Sequence, residues 1–474
     1  MLEPSLELFH KAASQVPAYA DFLKQHSIKP AEIKTVDDFK SVPLTSKKNY
    51  LQKYPLNQLV WGGDIMKPLI FCSTSGSTGL PYYFPRDEEL SEQYSVLIEK
   101  FLSVRPANNQ PTLVIIAFGM GVWIGGIITL KAFEMAIARM NYPASLLPTG
   151  YNKAEVIKAL HQLAPQFGQT VLVGYPPFIK EIIDEAEHQA IDLTKLKPRL
   201  LFAAEAFSET FRDYVCQKTG ADPVLDTLNI YGTADIGAMA YETPLSILIR
   251  RLAIKQPDLF NEIFGQIEKT PTLAQFNPDF VEFEAVDGEV LLTGNSALPL
   301  IRYAVGDHGG VIDYTKLEQI LHKHGLNMGK EAFAAGFDAK DYRQPFVFVY
   351  ERSNFAVSLH GIVIYPEYIR EALLDANLAA NLSERFTMLT KSDKDHNQYL
   401  EINIELQNGV KESDKLAAQT KELIRQKLIE KSSEFKEISK DDDSSRLLKL
   451  KFWPYGDPKY FSPGVKQQWS IKSD

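Results

Sequence analysis

Strand-length apolar runs alternate with amphipathic helical stretches along most of the chain, and this alternation is what most restricts its fold. In TVLVGYPPFIKEIIDEA, residues 171–173 form a predicted strand, and Pro176 and Pro177 begin a helix where a missing amide proton costs little. The predicted buried face of that helix comprises Ile179, Ile182 and Ile183. In RLLFAAEAFSETFRDYV a strand precedes a helix whose predicted N-cap is Ser208. The pattern predicts an α/β protein, and 474 residues predict more than one domain.

The most apolar stretch is residues 112–130, which contains no charged side chain and is long enough to cross a bilayer. Glycines at 119, 121, 125 and 126 interrupt it, and its first part, TLVIIAF, is continuously apolar like a strand buried on both faces. The sequence therefore predicts a buried strand, a glycine-rich turn and a helix, and no membrane span.

After Glu351 the chain reads as a compact unit of its own. Strands are predicted in FAVSLHG, YLEINIEL and LLKLKFW, and helices in PEYIREALLDA and LAAQTKELIRQKLIEK. About a hundred residues of this kind predict a small α+β domain.

Charge and cysteine content exclude several classes of protein. The net charge is -9, and no long basic tract is present, which argues against a nucleic-acid partner. Cys72 and Cys216 are far apart in sequence, so they indicate neither a disulfide framework nor a thiolate zinc site. The first residues do not read as a secretory signal, and we expect a cytoplasmic protein.

The segment FCSTSGSTGLP at residues 71–81 follows an apolar run. Its backbone amides and hydroxyl groups suit a phosphate chain, and its glycines allow the main chain to approach the oxygens. Taken alone, such a loop also fits a flexible connector. It is not a Walker A loop, because no Gly-Lys-Ser/Thr ends it.

This loop resembles the phosphate-binding signature of the adenylate-forming enzymes, which include acyl-CoA synthetases, adenylation domains and luciferases. Further similar motifs follow in the family's order: AAEA at 203–206, NIYGTAD at 229–235, PLIRYAVGD at 299–307, ERSN at 351–354 and HGIVIYP at 360–366. The IRY run, the GIVIYP loop and the short N-terminal region are most similar to phenylacetate-CoA ligases. The resemblance implies a large N-terminal α/β domain with mixed sheets at 1–353, joined by a hinge to a small mobile α+β domain at 354–474.

The implied activity is the use of ATP and Mg2+ to activate an aromatic or apolar carboxylic acid as an acyl-adenylate, followed by transfer to CoA. Two alternatives remain open. The same adenylation could feed the phosphopantetheine of an acyl carrier protein or an amine, or the chain could be a nucleotide-binding homologue with impaired catalysis. Dimerisation is common among such relatives, and a homodimer is left open.

The resemblance also assigns roles to residues. It implies that Tyr231 stacks on adenine, Asp307 accepts the ribose hydroxyls, and Asp235 binds magnesium. The implied nucleotide-binding residues are Ser73, Thr74, Ser75, Gly76, Ser77, Thr78, Gly79, Ala204, Glu205, Ala206, Asn229, Tyr231, Gly232, Thr233, Asp307 and Arg352. The implied acid pocket comprises Phe118, Gly119, Trp123, Tyr175, Pro177 and Phe178, and the terminal candidates for a catalytic lysine are Lys459 and Lys466. Taken singly, these residues also fit ordinary core packing or solvated surface positions.

Several positions depart from the family pattern. A lysine is missing beside Pro81, and Asp235 stands where glutamate is usual, which shortens its reach by one methylene. The other departures are Ala234 for a hydroxyl residue, Ala304 and Val305 for Arg-Thr, His360 for arginine, Asn354 in the hinge, and an extra stretch at 313–345.

Overall fold

A computed structural model describes residues 3–66, 69–73, 82–106, 110–122, 124–267, 270–352, 357–373, 375, 377–378, 381–440 and 444–461. The chain divides into two compact units. The large unit comprises Met1–Cys72, Tyr83–Gly174 and Glu185–Ser353, and the small unit comprises Ser73–Tyr82, Tyr175–Asp184 and Asn354–Asp474. The predicted domain limit at residue 353 and the predicted mobility of the small domain stay predictions.

The strands are β1 Thr45–Ser46, β2 Ile70–Ser73, β3 Tyr83–Arg86, β4 Thr112–Ile116, β5 Ala144–Leu147, β6 Gln169–Gly174, β7 Pro198–Ala203, β8 Thr227–Thr233, β9 Gly237–Tyr241, β10 Thr272–Gln275, β11 Val281–Val286, β12 Glu289–Gly294, β13 Leu300–Ile312, β14 Phe346–Arg352, β15 Val357–Leu359, β16 Ile362–Ile364, β17 Leu382–Ser392, β18 Gln398–Leu406 and β19 Leu448–Trp453.

The α-helices are α1 Glu3–Gln15, α2 Pro17–Gln25, α3 Val36–Lys40, α4 Leu56–Leu59, α5 Glu88–Val104, α6 Ile124–Met140, α7 Lys153–Gln162, α8 Pro176–His188, α9 Leu193–Leu196, α10 Glu209–Thr219, α11 Pro244–Lys255, α12 Pro257–Phe264, α13 Tyr314–Lys323, α14 Met328–Ala334, α15 Pro366–Leu373, α16 Asp414–Lys431 and α17 Ser433–Ile438.

One large mixed sheet organises the large unit, in the order β11-β12-β13-β14-β10-β9-β8-β7-β6-β4-β5. Strands β5, β4, β6, β7 and β8 are parallel, and from β9 onward each neighbour is antiparallel. All five residues of β4 are buried, as expected for a parallel strand covered on both faces. Because β7 and β8 run in the same direction, the segments that follow them leave from the same edge of the sheet.

The antiparallel half depends on close backbone approach. A side chain at Gly309 would place its Cβ atom 1.8 Å from the carbonyl oxygen of Phe348 on β14, and one at Gly232 would lie 2.6 Å from the oxygen of Gly237. Gly232 belongs to the NIYGTAD motif, and Gly309 lies on β13 two residues after the ribose motif ends. Because glycine has no Cβ atom, β8 can pair with β9 and β13 can pair with β14 at these positions.

The N-terminal segment, to which the sequence assigned no role, is tied to β13. Strand β1 pairs in parallel with β13, and the hydroxyl of Thr45 donates to the carbonyl of Ile301 at 2.7 Å. The guanidinium of Arg302 donates to the carbonyl of Val42 at 2.5 Å and to Glu284 at 3.1 Å. These contacts fix the strand that contains the predicted ribose-binding aspartate.

The extra stretch at 313–345 is also structured. Helices α13 and α14 lie in it and pack into one apolar cluster with α11 and α12. Leu317 and Leu321 of α13 and Ala332 of α14 are buried in that cluster. The insertion therefore adds a helical layer to the large unit.

The small unit is built on a three-stranded sheet in the order β17-β18-β19, antiparallel between the first pair and parallel between the second. Helices α15, α16 and α17 contribute to the same core. The apolar residues predicted to share one face of β18, Leu400, Ile402, Ile404 and Leu406, lie in this core. Glu401, Asn403 and Glu405 between them are also buried, so both faces of the strand are covered. A large mixed α/β unit and a smaller α+β unit confirm the predicted fold class.

Local predictions are also confirmed. The apolar stretch forms β4 and then α6, and no helix among the described residues is long and apolar enough to cross a membrane. The side chain of Ser208 caps α10 by accepting from the amide of Phe211 at 3.2 Å. Cys72 and Cys216 are free and buried.

The approach at Gly309 generates a stability prediction. We expect Gly309→Ala to lower the free energy of unfolding in urea by about 2 to 3 kcal/mol, because β13 must move away from β14. Gly329→Ala is the matched control, since the nearest atom to its added Cβ is Oδ1 of Asn327 at 3.5 Å, an ordinary van der Waals distance. It should leave stability unchanged or raise it by up to about 1 kcal/mol. Equal stability of the two variants would contradict the packing argument.

Candidate active site

A hydrogen bond joins two of the predicted site residues across the large sheet. The hydroxyl of Tyr231 on β8 donates to Oδ2 of Asp307 on β13 at 2.7 Å. Asp307 is 6% exposed, and the ring of Tyr231 stacks on that of Phe283 with centroids 6.2 Å apart. A carboxylate oxygen accepts more than one hydrogen bond, so this contact is compatible with the predicted ribose role of Asp307. Tertiary structure thus brings together motifs that lie far apart in sequence.

Asp235, the predicted magnesium ligand, follows β8 and is held from two directions. The hydroxyl of Tyr303 on β13 donates to its Oδ2 at 2.7 Å. Its backbone amide donates to the hydroxyl of Thr233 at 3.3 Å, so that hydroxyl stabilises the turn. Tyr303 belongs to the IRY run that the sequence singled out as a motif, but it had no assigned role there.

Arg86, at the end of β3, is a second residue that the sequence did not assign. It is 2% exposed, and its guanidinium donates to the main-chain carbonyls of Ala234 and of Asp235, the latter at 3.1 Å. Burial lowers the pKa of Arg86 below its ordinary value, although the nearby Cys72 and Asp235 act in the opposite direction. A lone arginine at the end of the apolar strand YYFPR was the only available sequence signal.

The predicted adenine segment is fixed at the edge of β7. Ala204 has a φ of 75°, in the left-handed region that a residue with a Cβ atom adopts only when its surroundings enforce it. The side-chain amide of Asn229 donates to the carbonyl of Glu205 at 2.9 Å. The backbone amide of Asn229 donates to the carboxylate of Glu242 at 3.1 Å. Asn229 thereby ties the segment after β7 to the start of β8 and to a buried carboxylate.

That carboxylate belongs to a buried charge network that sequence reasoning also missed. Arg212 donates to both oxygens of Glu242 at 2.8 Å, and Arg250 donates to Glu209 at 2.8 Å. Burial opposes the charge of Arg212, yet Glu242 and Glu209 raise its pKa above the ordinary value. Arg250 also donates to the carbonyl of Phe207 at 2.7 Å. The network therefore also holds Phe207, which directly follows the predicted adenine segment.

Other predicted nucleotide-binding residues are placed less fully. Ser73 ends β2 and is 8% exposed, whereas residues 74–79 of the loop lie outside the described residues. Arg352 ends β14, and its backbone lies opposite Asp307 in the pairing of β13 with β14. The roles of Ser73 and Arg352 stay predictions.

The predicted acid-pocket residues fall in both units. In the large unit Phe118 and Gly119 follow β4 and are buried, and Trp123 lies outside the described residues. In the small unit Pro177 and Phe178 are buried in the first turns of α8, and the ring of Tyr175 lies so near Gly361 that a Cβ atom there would be 2.8 Å from it. Their role in an acid pocket stays a prediction.

Of the two candidate lysines, Lys466 lies outside the described residues. Lys459 is exposed in the small unit, where its ammonium group lies 5.6 Å from the ring centroid of Trp453 and 5.3 Å from that of Tyr460. Its catalytic role stays a prediction.

Among the described residues, no group of three or more His, Cys, Asp or Glu side chains is placed to hold a metal ion. A single carboxylate such as Asp235 fits a magnesium ion that takes its other oxygens from a triphosphate and water.

Comparison with known proteins agrees with this geometry, although no family model matches the chain. It is 23% identical over 378 residues to the phenylacetate-coenzyme A ligase of Pseudomonas putida, covering 79% of this chain and 74% of that protein. It is 22% identical over 403 residues to the phenylacetate-coenzyme A ligase of Escherichia coli K12, covering 84% and 80%. A crystal structure of 2-hydroxyisobutyryl-CoA ligase in complex with 2-HIB-AMP and CoA matches with a TM-score of 0.65 and 15% identity, covering 100% of this chain and 88% of that one.

The chain thus has the two-domain fold of the adenylate-forming ligases. Its sequence is similar to those of phenylacetate-CoA ligases at 21 to 23% identity, which confirms the resemblance drawn from its motifs.

The buried network generates a second stability prediction. We expect Glu242→Ala to lower the free energy of unfolding by about 3 to 5 kcal/mol, because it leaves two buried arginines, Arg212 and Arg250, to share the one remaining carboxylate of Glu209. The matched control is Glu422→Ala, which breaks an exposed pair with Arg425 at 2.9 Å and should cost at most about 1 kcal/mol. Urea denaturation measures both, and a Glu242→Ala effect as small as that of the control would show that the network is not structurally required.

Proposed function

We propose that this protein uses ATP to activate an organic carboxylic acid as an acyl-adenylate and then transfers the acyl group to CoA. The observation that supports the proposal most directly is a pair of hydrogen bonds between the β8 and β13 motifs. Tyr231 donates to Asp307, and Tyr303 donates to Asp235, so the residues with nucleotide roles in the motif assignment are held by one another's motifs. The homology to phenylacetate-CoA ligases supports the same reaction.

In the first step a carboxylate oxygen of the acid attacks the α-phosphorus of ATP, and pyrophosphate leaves. The ring of Tyr231 packs on adenine, and Asp307 accepts hydrogen bonds from the ribose hydroxyls, so the nucleotide is oriented before the reaction. Asp235 would hold magnesium, which would supply charge neutralisation on the triphosphate. The chain's contribution is therefore positioning and electrostatic stabilisation, without a covalent enzyme intermediate.

The acid is proposed to be aromatic or otherwise apolar. In the large unit, Phe118 and Gly119 lie at the carboxyl end of β4, the edge of a parallel sheet where ligands bind in folds of this type. The aromatic character of Phe118 and of the other residues predicted for the pocket favours an apolar group next to the carboxylate.

CoA is the proposed acceptor, because the relatives that the chain matches over most of its length are CoA ligases. Those comparisons give no support to an acyl carrier protein, and nothing observed favours an amine. An impaired nucleotide-binding homologue remains the contrasting outcome for the assay. The cytoplasmic location and a homodimer stay predictions.

The test has two stages. Labelled pyrophosphate should exchange into ATP only when a suitable acid is present, and a screen of aromatic and aliphatic acids identifies which one. CoA is then added, and the thioester is sought by mass spectrometry. Absence of exchange with every acid would refute the proposed ligase and favour the impaired homologue. Exchange without a CoA thioester would refute CoA as the acceptor.

The role of Asp307 makes a quantitative prediction. Asp307→Ala should weaken ATP binding by more than about tenfold in calorimetry, because it removes charge-assisted hydrogen bonds to the ribose. Glu262→Ala is the control, since it removes a carboxylate from a pair with Lys323 at 2.8 Å elsewhere in the large unit. Unchanged ATP affinity in a folded Asp307→Ala variant would refute the ribose role.

The two lysine candidates are tested by separating the half-reactions. Replacing the correct residue by alanine should cripple pyrophosphate exchange but spare thioester formation from a supplied acyl-adenylate. Lys449→Ala is a control matched to Lys459→Ala, because Lys449 is exposed in the small unit with its ammonium 3.6 Å from the ring centroid of Tyr399. If neither Lys459→Ala nor Lys466→Ala separates the two steps, both assignments are wrong.

A further inference from the structure

The buried arginines of the large unit differ in what neutralises them. Arg212, Arg250 and Arg302 each form an ion pair with a glutamate at 2.8 to 3.1 Å. The guanidinium of Arg86 donates to two consecutive main-chain carbonyls, those of Ala234 and Asp235. Arg199 likewise donates to main-chain carbonyls, with the carboxylate of Asp226 3.7 Å away. Burying a guanidinium is costly, so a fully buried arginine used on main-chain oxygens indicates that the position of that main chain matters.

Arg86 also connects two predicted parts of the site. It ends β3, which pairs with β2, and the predicted phosphate loop lies between these two strands in sequence. The carbonyls it holds belong to the segment after β8 that ends in the predicted magnesium ligand. Arg86 therefore couples the strand that follows the loop to the main chain of Asp235.

Tyr303 acts on the same residue from β13. It is 1% exposed, and its hydroxyl donates to Oδ2 of the Asp235 carboxylate. Asp235 therefore has its main chain held by Arg86 and its side chain held by Tyr303. Aspartate has one methylene fewer than glutamate, so its carboxylate can reach a metal from fewer positions. Holding both the main chain and the carboxylate of Asp235 therefore matters more than it would for glutamate.

We propose that Arg86 and Tyr303 are positioning residues for the magnesium-binding carboxylate of Asp235. Arg86 fixes the main chain at Ala234 and Asp235, and Tyr303 fixes the carboxylate through Oδ2, which leaves Oδ1 as the oxygen that would bind magnesium. The proposal rests on the proposed function, because it requires that ATP bind with magnesium at Asp235.

The test measures the magnesium concentration that gives half-maximal ATP binding, by calorimetry with ATP at a series of MgCl2 concentrations and without any acid. Loss of one hydrogen bond to a charged group should raise this concentration about tenfold in Tyr303→Phe, with metal-free ATP binding unchanged. Tyr241→Phe is the matched control, because it removes a hydroxyl from another buried tyrosine that donates to Gln344 at 3.4 Å.

Arg86 is tested by Arg86→Lys and Arg86→Met, with thermal unfolding recorded for each. Lysine retains the charge and one donor, so we expect Arg86→Lys to raise the magnesium midpoint less than Arg86→Met does. A purely structural Arg86 would lower the unfolding temperature and leave the midpoint unchanged. If the Arg86 variants do not fold, Tyr303→Phe alone decides the proposal.

A double-mutant comparison completes the test. In an Asp235→Asn background, Tyr303→Phe should change the midpoint by less than about twofold, because the hydrogen bond acts through the carboxylate. An unchanged midpoint in folded Tyr303→Phe, where the unaltered protein depends on magnesium, would overturn this proposal alone. Failure of the unaltered protein to bind ATP with magnesium would overturn the proposed function and this proposal together.

Discussion

The buried ion pair of Arg212 and Glu242 is the interaction on which the candidate site depends. Arg212 and Glu242 are both fully buried, and Glu242 also accepts the amide of Asn229. Buried charges are tolerated when each is paired and hydrogen-bonded, and separating such a pair costs far more than breaking one at the surface. Through Asn229 and Phe207, the network fixes the left-handed segment at Ala204 that the motif resemblance places beside adenine.

The change from parallel to antiparallel pairing between β8 and β9 lets β13 contribute residues to the candidate site. Strands β7 and β8 deliver their following segments to one edge, and the antiparallel run from β9 brings β13 into the same sheet. β8 and β13 are not neighbours, yet the side chains of Tyr231 and Asp307 meet at 2.7 Å. Close backbone approach at Gly232 and Gly309 is what permits the antiparallel strands to pair in this register.

Asp235 and Ala234 depart from the motif expected from the family resemblance, and neighbouring side chains hold both residues in place. Asp235 is shorter than the glutamate expected from the resemblance, and Ala234 lacks the usual hydroxyl. The structure provides contacts at both positions, because Arg86 holds their carbonyls and Tyr303 holds the carboxylate. The departures are accommodated within the large unit by side chains from β3 and β13.

The sequence alone determined the fold class, the positions of many strands and helices, and the family resemblance. Local sequence signals predicted β6, the cap at Ser208 and the apolar core residues of β18 correctly. Only the tertiary structure decided that Arg86, Tyr303 and the Arg212–Glu242 pair surround the site. These residues have no distinctive local pattern, since their contacts depend on which strands become neighbours and which charges share a buried space. For the same reason the sequence was silent about residues 1–60, whose attachment to β13 through Arg302 spans about half the chain.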